Sequence, residues 1–547
     1  MTSRQKNTFA ILLVISVIYF SLFIFPNNTG AEDPMMISLF ETDEFAQYPV
    51  VMRMLSPHEA LDKTVLNFIK YGHYYYGSPF YFSSAIILLP VELVSSLENT
   101  QLNMLLLRQL ISVLPMLGAL LVFTYLPTKF KSRWKSIALF ILLLSVSAVV
   151  ENNLWWHVDS LAIFFTGLTF LFLDLDSLRF GRFYYFAAVA TGLASGTKVI
   201  GLFFFLTIPV YLLFGLIRKR LFWRNALGHA IGFVLLMGGV ILASNPFLFL
   251  KGEYGSMISL LTRQSRSMSA GWVLLYDKGP ASWIPILQSL YGNIAFLILA
   301  LIALIMGMRN PETRLRHSLI AAWAVPFGLY VLFVIAIKPT HFFLPILLPV
   351  FSTVAFFFEF PPFVKLNLDE QENRLTSTAP NPLFNRIMGG LALVFICVQL
   401  LGYISKDIDL YTTVLHREQN EQSIVFYSIL ETEYLPIMKA EDTLVVFRDV
   451  RMYFPEDPRW IVRTYWNSNY RTIEKIKPDL IILWAQRILD YTQAGAREKA
   501  VNPESFQDTY QFYLDADRDQ LRGYRLVYWN DEGLFFASDK LFTDFFE

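Results

Sequence analysis

Charge is scarce in this 547-residue chain: Asp, Glu, Lys and Arg make up 16% of it, 45 basic against 45 acidic, and the formal net charge is zero. That balance removes the electrostatic basis for binding nucleic acid, and no nucleic-acid partner is expected. Cysteine is nearly absent; with Cys397 alone, no disulfide can form within the chain. The seven histidines show no His-Glu-x-x-His spacing, and no internal repeat or low-complexity tract stands out. What is abundant is apolar. Hydrophobic residues reach 54%, aromatics 16% and the mean hydropathy +0.44, which describes a polytopic membrane protein rather than a soluble globule.

Residues 8–25 form an apolar run after Arg4 and Lys6, followed by Pro26-Asn27-Asn28 in place of a small-x-small cleavage site. It reads as a retained first span with its N-terminus in the cytoplasm. Further runs at about 104–126, 134–150, 158–174, 183–197, 199–217, 225–243, 285–306, 317–337, 341–359 and 385–404 bring the expectation to about 11 spans. The run 81–97, with Pro90 and Glu92, is placed on the outer surface as a juxtamembrane helix. The clusters around Lys129–Lys135 and Arg218–Arg220, with Arg179, Arg182, Arg309, Arg314, Arg316 and Lys365, then face the cytoplasm. Inside segments carry about 18 Lys/Arg in roughly 70 residues, against about 9 in roughly 135 residues of outside loops, leaving out the C-terminal domain.

This topology leaves three outer elements: residues 26–103, 244–284 and 405–547. The last changes character, with short strands around 443–447 and 480–484, a helix over 503–516 and a hairpin over 526–536. A small extracytoplasmic α/β domain is expected there, after a transmembrane domain over 1–404, and the polar stretch 366–382 reads as a cytoplasmic linker. The outer domain shows no Walker, dinucleotide or nucleophile-elbow signature.

The acidic pair Asp43-Glu44 in ETDEFAQY stands just outside the first span. Acidic side chains beside a bilayer need a reason, and a base acting on a lipid-borne substrate is one. Arg108 opens a span in LLLRQLISVLPMLGALLVF; Asp159 precedes one in WWHVDSLAIFF; Lys198 lies between two in GLASGTKVIGLFF with no evident partner; Lys338 and His341 share IKPTHFFLPILLP. In this order the motifs resemble the GT-C glycosyltransferases, most closely the branch of protein O-mannosyltransferases and bacterial lipid A aminoarabinose transferases. The resemblance covers roughly residues 1–360, and each motif is short, so their order carries the specificity.

The resemblance implies a polyprenyl-phosphate-linked sugar as donor, a hydroxyl of an extracytoplasmic glycan, lipid or protein as acceptor, and inversion at the anomeric carbon. Asp43 is carried over as the catalytic base, with Glu44 catalytic beside it or supporting it, and Glu41 as a spare. Because phosphate is already a good leaving group, one base and a few cations suffice, unlike glycoside hydrolysis with its second carboxyl. Lys198, Arg108, Lys338, His341, His73 and Asp159 are the candidates for binding the donor's phosphate and sugar. Lys70 and His73 stand where the related families place a basic residue, without a clean match. No cofactor is required; a divalent metal, if one binds, would be held by Asp43 and Asp159. The tyrosines of 71–76 read as an interfacial aromatic belt, or as rings stacked against a sugar face. The loop 244–284, with Arg263, Arg266, Trp272 and Tyr276, reads as a lid or an interfacial segment. Short loops lean towards a prokaryotic inner membrane. A transporter or a membrane scaffold are the competing classes, though the notable charges sit at span ends and not in mid-membrane.

Overall fold

The computed structural model describes residues 1–95, 97–359, 382–438 and 443–546; Lys365 and residues 366–381 of the expected linker lie outside them. Among the described residues, seven helices are long and apolar enough to cross a membrane: Ser3–Asn27, Thr100–Thr128, Val199–Ile217, Trp223–Ser244, Arg314–Phe333, Thr340–Phe358 and Gly389–Leu415. Pro280–Tyr291 and Ile294–Arg309 make an eighth if the pair, bent by 90°, is one span. The chain is an integral membrane protein, but the expected 11 spans are not reached by this measure. Arg133–Leu144 has 12 residues and breaks before Ser147–Asn152, and Arg182–Thr197 has 16, about 24 Å of rise. Asp159–Asp176 has 18 residues but carries Asp159, Asp174 and Asp176. It packs between its neighbours in the bundle, where such a helix need not present a wholly apolar surface.

The run around 81–97 forms the helix Ser78–Ser95, shorter in its apolar part than the spanning helices. Tyr71 and Tyr74 before it, and Phe80 and Tyr81 in its first turn, pack with Trp156 and Phe247 into an aromatic core of the loop after the first span. This corrects the expected belt: Tyr71 and Tyr74 are 0% and 3% exposed, where a headgroup belt would need exposed rings.

The last apolar helix runs on from Gly389 to Leu415. Beyond it lies a five-stranded sheet of order β2-β1-β3-β5-β4: β1 Leu444–Asp449, β2 Trp460–Tyr465, β3 Leu480–Trp484, β4 Tyr524–Trp529 and β5 Gly533–Ser538. β1 runs parallel to β2 and β3, and β5 antiparallel to β3 and β4. The β4–β5 hairpin and the helix Pro503–Asp517 fall where the sequence places them. Both sheet faces are covered, by clusters around Phe426 and Leu480 and around Ile481 and Phe512.

Two sets of hydrogen bonds fix the sheet unit, one against the loop after the first span and one against a later segment. Arg448 donates to Ser38 Oγ (2.8 Å), Arg451 to the Leu39 carbonyl (2.7 Å), and Tyr453 OH to Asp33 Oδ2 (2.8 Å), so the sheet unit clamps the helix Pro34–Phe40 that leads into Asp43. The segment 271–278, after the helix Lys251–Ala270, straps across: Leu275 N–H donates to the Lys499 carbonyl (2.7 Å) and Val501 N–H to that of Val273 (2.9 Å).

Candidate active site

Asp43 and Glu44 lie in the first turn of the helix Thr42–Leu55, about 100° apart around its axis. Glu44, Gln47, Tyr48 and Val51 form its buried stripe at i, i+3, i+4 and i+7. That geometry divides the pair. Glu44 is wholly buried and accepts from Arg108 through both carboxylate oxygens (2.9 and 2.5 Å) and from the Trp156 N–H (2.5 Å). Arg108, also wholly buried, begins a π-turn and donates further to the Asn27 and Thr29 carbonyls (2.9 and 2.8 Å).

Asp43 makes no hydrogen bond or ion pair among the described residues and lines a cavity of about 740 Å³, within the usual range for a ligand site. Its wall comes from four parts of the chain: the loop after the first span (Thr42, Gln47, His73, Tyr75, Tyr76), the helix Lys251–Ala270 (Gln264, Met268), the strap (Trp272 to Leu274, Tyr276) and the sheet unit (Trp466, Asn467, Arg487, Asp490). His73 bonds Tyr81 OH through Nδ1 (2.5 Å); burial holds the imidazole down, to about 4, against the raising effect of Asp43, so it is neutral near pH 7.

Tyr76 links this cavity to a second group. Its hydroxyl meets His157 Nε2 at 2.8 Å, and the His157 Nδ1 lies 2.5 Å from Asp159 Oδ2. Lys198 donates to both Asp159 oxygens (2.8 and 3.0 Å), with the Phe342 ring 5.2 Å from its Nζ, and His341 Nε2 lies 3.6 Å from Asp159. Lys198 therefore has a partner, 39 residues back in sequence, contrary to the expectation. A close backbone approach brings the two groups together: Gly77 N–H donates to the Thr197 carbonyl (2.9 Å), and a Cβ on Gly77 would stand 1.5 Å from the Gly196 oxygen. Only glycine fits there.

The ligand atoms of His157, Asp159 and His341 lie within 4.8 Å of one another, a spacing that can hold a metal ion. The residues present do not fit a resident metal. The Lys198 ammonium already spans the Asp159 carboxylate, and a divalent ion would have to sit against that fixed charge. The triad also differs from the expected ligand pair, for Asp43 is not part of it.

Of the residues expected from sequence, Asp43 and His73 meet at the cavity, and Lys198, Asp159 and His341 meet beside it. Arg108 is not brought there: its donors are held by Glu44 and two carbonyls. Lys338 is not on the wall either; it donates to the Asp277 and Ala336 carbonyls and lies over the Trp283 ring (4.7 Å), anchoring the strap. Tyr76 was singled out only with the tyrosine run, and Gly77, Trp466 and Arg487 were not singled out by sequence. Glycine next to a tyrosine run was a signal for Gly77; the others had none.

The membrane bundle, the loop bearing the acidic pair and the sheet unit after the last span have the GT-C fold, as the structural likeness shows. The chain is similar in structure to the lipid A aminoarabinose transferase ArnT of Cupriavidus metallidurans bound to undecaprenyl phosphate (TM-score 0.51, 12% identity, 97% of this chain and 98% of that one). Its apo form aligns likewise (TM-score 0.50, 12% identity, 98% and 99%). No protein-family model matches the chain, and no curated protein matches it in sequence.

Proposed function

We propose that the chain is an inverting glycosyltransferase that moves a sugar from a polyprenyl-phosphate carrier to a hydroxyl of an extracytoplasmic glycan, lipid or protein, with Asp43 as general base. The observation that carries this is Asp43 itself, an unpartnered carboxylate on the wall of a ligand-sized cavity while its neighbour is locked away. The fold supports it, since the ArnT structure of the same fold holds undecaprenyl phosphate.

In this reading the acceptor hydroxyl enters the cavity and gives its proton to an Asp43 oxygen as its own oxygen attacks the anomeric carbon. The new bond forms opposite the phosphate, the carbon–oxygen bond to phosphate breaks, and the polyprenyl phosphate leaves with both electrons. Lys198, presented by Asp159, and His341 face the departing phosphate and stabilise its charge. Neutral His73 offers a hydrogen bond to the sugar. Glu44 and Arg108 hold the Asp43 helix, and Lys338 holds the strap that keeps water out. No metal takes part, because Lys198 supplies the positive charge at Asp159, and the chemistry proceeds in chelator. The site faces the outside of a prokaryotic inner membrane, with the N-terminus in the cytoplasm.

The test is purified protein incubated with a panel of undecaprenyl-phosphate sugars and mixed envelope acceptors, with the anomeric configuration of the product read by NMR. Inverted product supports the reading; retained configuration, or no consumption of any donor, contradicts it.

A further inference from the structure

The cavity has a floor that the proposed transfer does not use. In the sheet unit, β1 and β3 are parallel neighbours whose carboxyl ends lead to opposite sides of the sheet, β1 to β2 and β3 towards β4. In parallel sheets, ligands bind outside such a switch point. Asp449, at the end of β1, organises it. Its carboxylate accepts from Ser468 Oγ (2.9 Å) and Tyr513 OH (3.0 Å) through one oxygen and from the Trp484 N–H (3.0 Å) through the other. These bonds tie down the loop after β2, which carries Trp466 and Asn467, and the turn after β3, which leads to Arg487.

Arg487 is the only Lys or Arg among the described residues of the cavity wall. Its Nη1 donates to Asn467 Oδ1 (3.2 Å), it forms no ion pair, and its Nε is buried without a hydrogen-bond partner. A buried, unpaired guanidinium donor is costly unless a ligand completes it. Its Nη2 carries no hydrogen bond among the described residues, so the guanidinium keeps a donor for a carboxylate or phosphate in a charge-assisted bond. Beside it, Trp466 and Trp272 are 48% and 55% exposed, flat apolar faces of the kind on which a sugar ring stacks.

We infer that the Arg487, Asn467 and Trp466 surface is the acceptor subsite and that the acceptor is a saccharide bearing an acidic group, phosphate or carboxylate. The inference rests on the glycosyltransferase reading and narrows it: the sheet unit selects the acceptor and presents its hydroxyl to Asp43.

The experiment titrates glucose 6-phosphate, glucuronate and glucose into the full-length protein in detergent and follows tryptophan fluorescence. Saturable binding of one or both acids, at least tenfold tighter than glucose, is expected; which acid binds tells phosphate from carboxylate. Arg487→Gln weakens that binding by about 10- to 100-fold. If this variant does not fold, Arg487→Lys weakens it too, because an ammonium lacks the planar fork. Equal binding of glucose and both acids, or unchanged acid binding in the Arg487 variants, overturns the inference. Asp43→Asn keeps the binding while transfer fails. Unaltered transfer by Asp43→Asn would thus defeat the glycosyltransferase reading, whereas unaltered acid binding by the Arg487 variants would defeat the subsite alone.

Discussion

At the residue scale, two adjacent carboxylates have opposite fates because a helix turns them about 100° apart. Glu44 and Arg108 neutralise each other in a wholly buried pair, and removing one partner strands the other's charge. Glu44→Ala or Arg108→Ala therefore costs about 3 to 5 kcal/mol, measurable as a lowered melting temperature, while Asp43→Asn, on an exposed side chain, melts close to the parent. The sequence contained this division. Tyr48 and Val51 mark the inward stripe, and stepping back to position 44 places Glu44 on it. That Arg108 is the partner was not legible, because 64 residues of chain separate the two. Glu41, just before this helix, is pushed up to about 8, first by burial, then by the Glu44 charge, with Arg417, Arg451 and Arg108 opposing. The folded chain thus keeps a proton that the unfolded chain gives up near the ordinary 4.5. Stability from this group is complete below about pH 4.5 and is lost as the pH rises through about 8. Glu41→Gln, which stays neutral, should flatten the fall of melting temperature across that window; an unchanged slope would show that Glu41 ionises normally.

At the scale of elements, the site depends on the first outer loop touching the break at Lys198. Gly77 lies against Gly196 so closely that Gly77→Ala must push the loop away, separating Tyr76 from His157. Loss of transfer together with a lower melting temperature is the expected result, whereas Gly72→Ala, where the nearest heavy atom is 3.7 Å from an added Cβ, meets no comparable contact although its φ of +78° is strained. Sequence reading located the loop and Lys198 from the positions of the spans, yet missed that Asp159 pairs with Lys198, since only the packing of Asp159–Asp176 against Arg182–Thr197 joins them. The strap is a second such element. Lys338→Met removes its bond to the Asp277 carbonyl, and a loosened strap admits water. The ratio of donor hydrolysis to transfer should then rise, by a factor that a single donor assay reads.

At the scale of the whole molecule, the cavity belongs to no single part: bundle-side loop, strap and sheet unit each supply a wall. Composition alone announced the membrane bundle, and short strands with a hairpin announced the sheet unit, because both signals are local. Their meeting at Asp43 is a matter of tertiary contacts such as those of Arg448, Arg451 and Tyr453 with residues 33–39, which no local pattern encodes. The same contacts tie the sheet unit to the Asp43 helix, so Arg451→Ala, remote from the cavity wall, should lower the proposed transfer through a displaced Asp43 helix and leave acid binding at Arg487 in place. The most direct test of the central claim is the release of undecaprenyl phosphate from a consumed donor by the parent protein and by Asp43→Asn, at equal amounts of folded enzyme. The account predicts a loss of about 10²- to 10⁴-fold in the variant; release at the parent rate would contradict it.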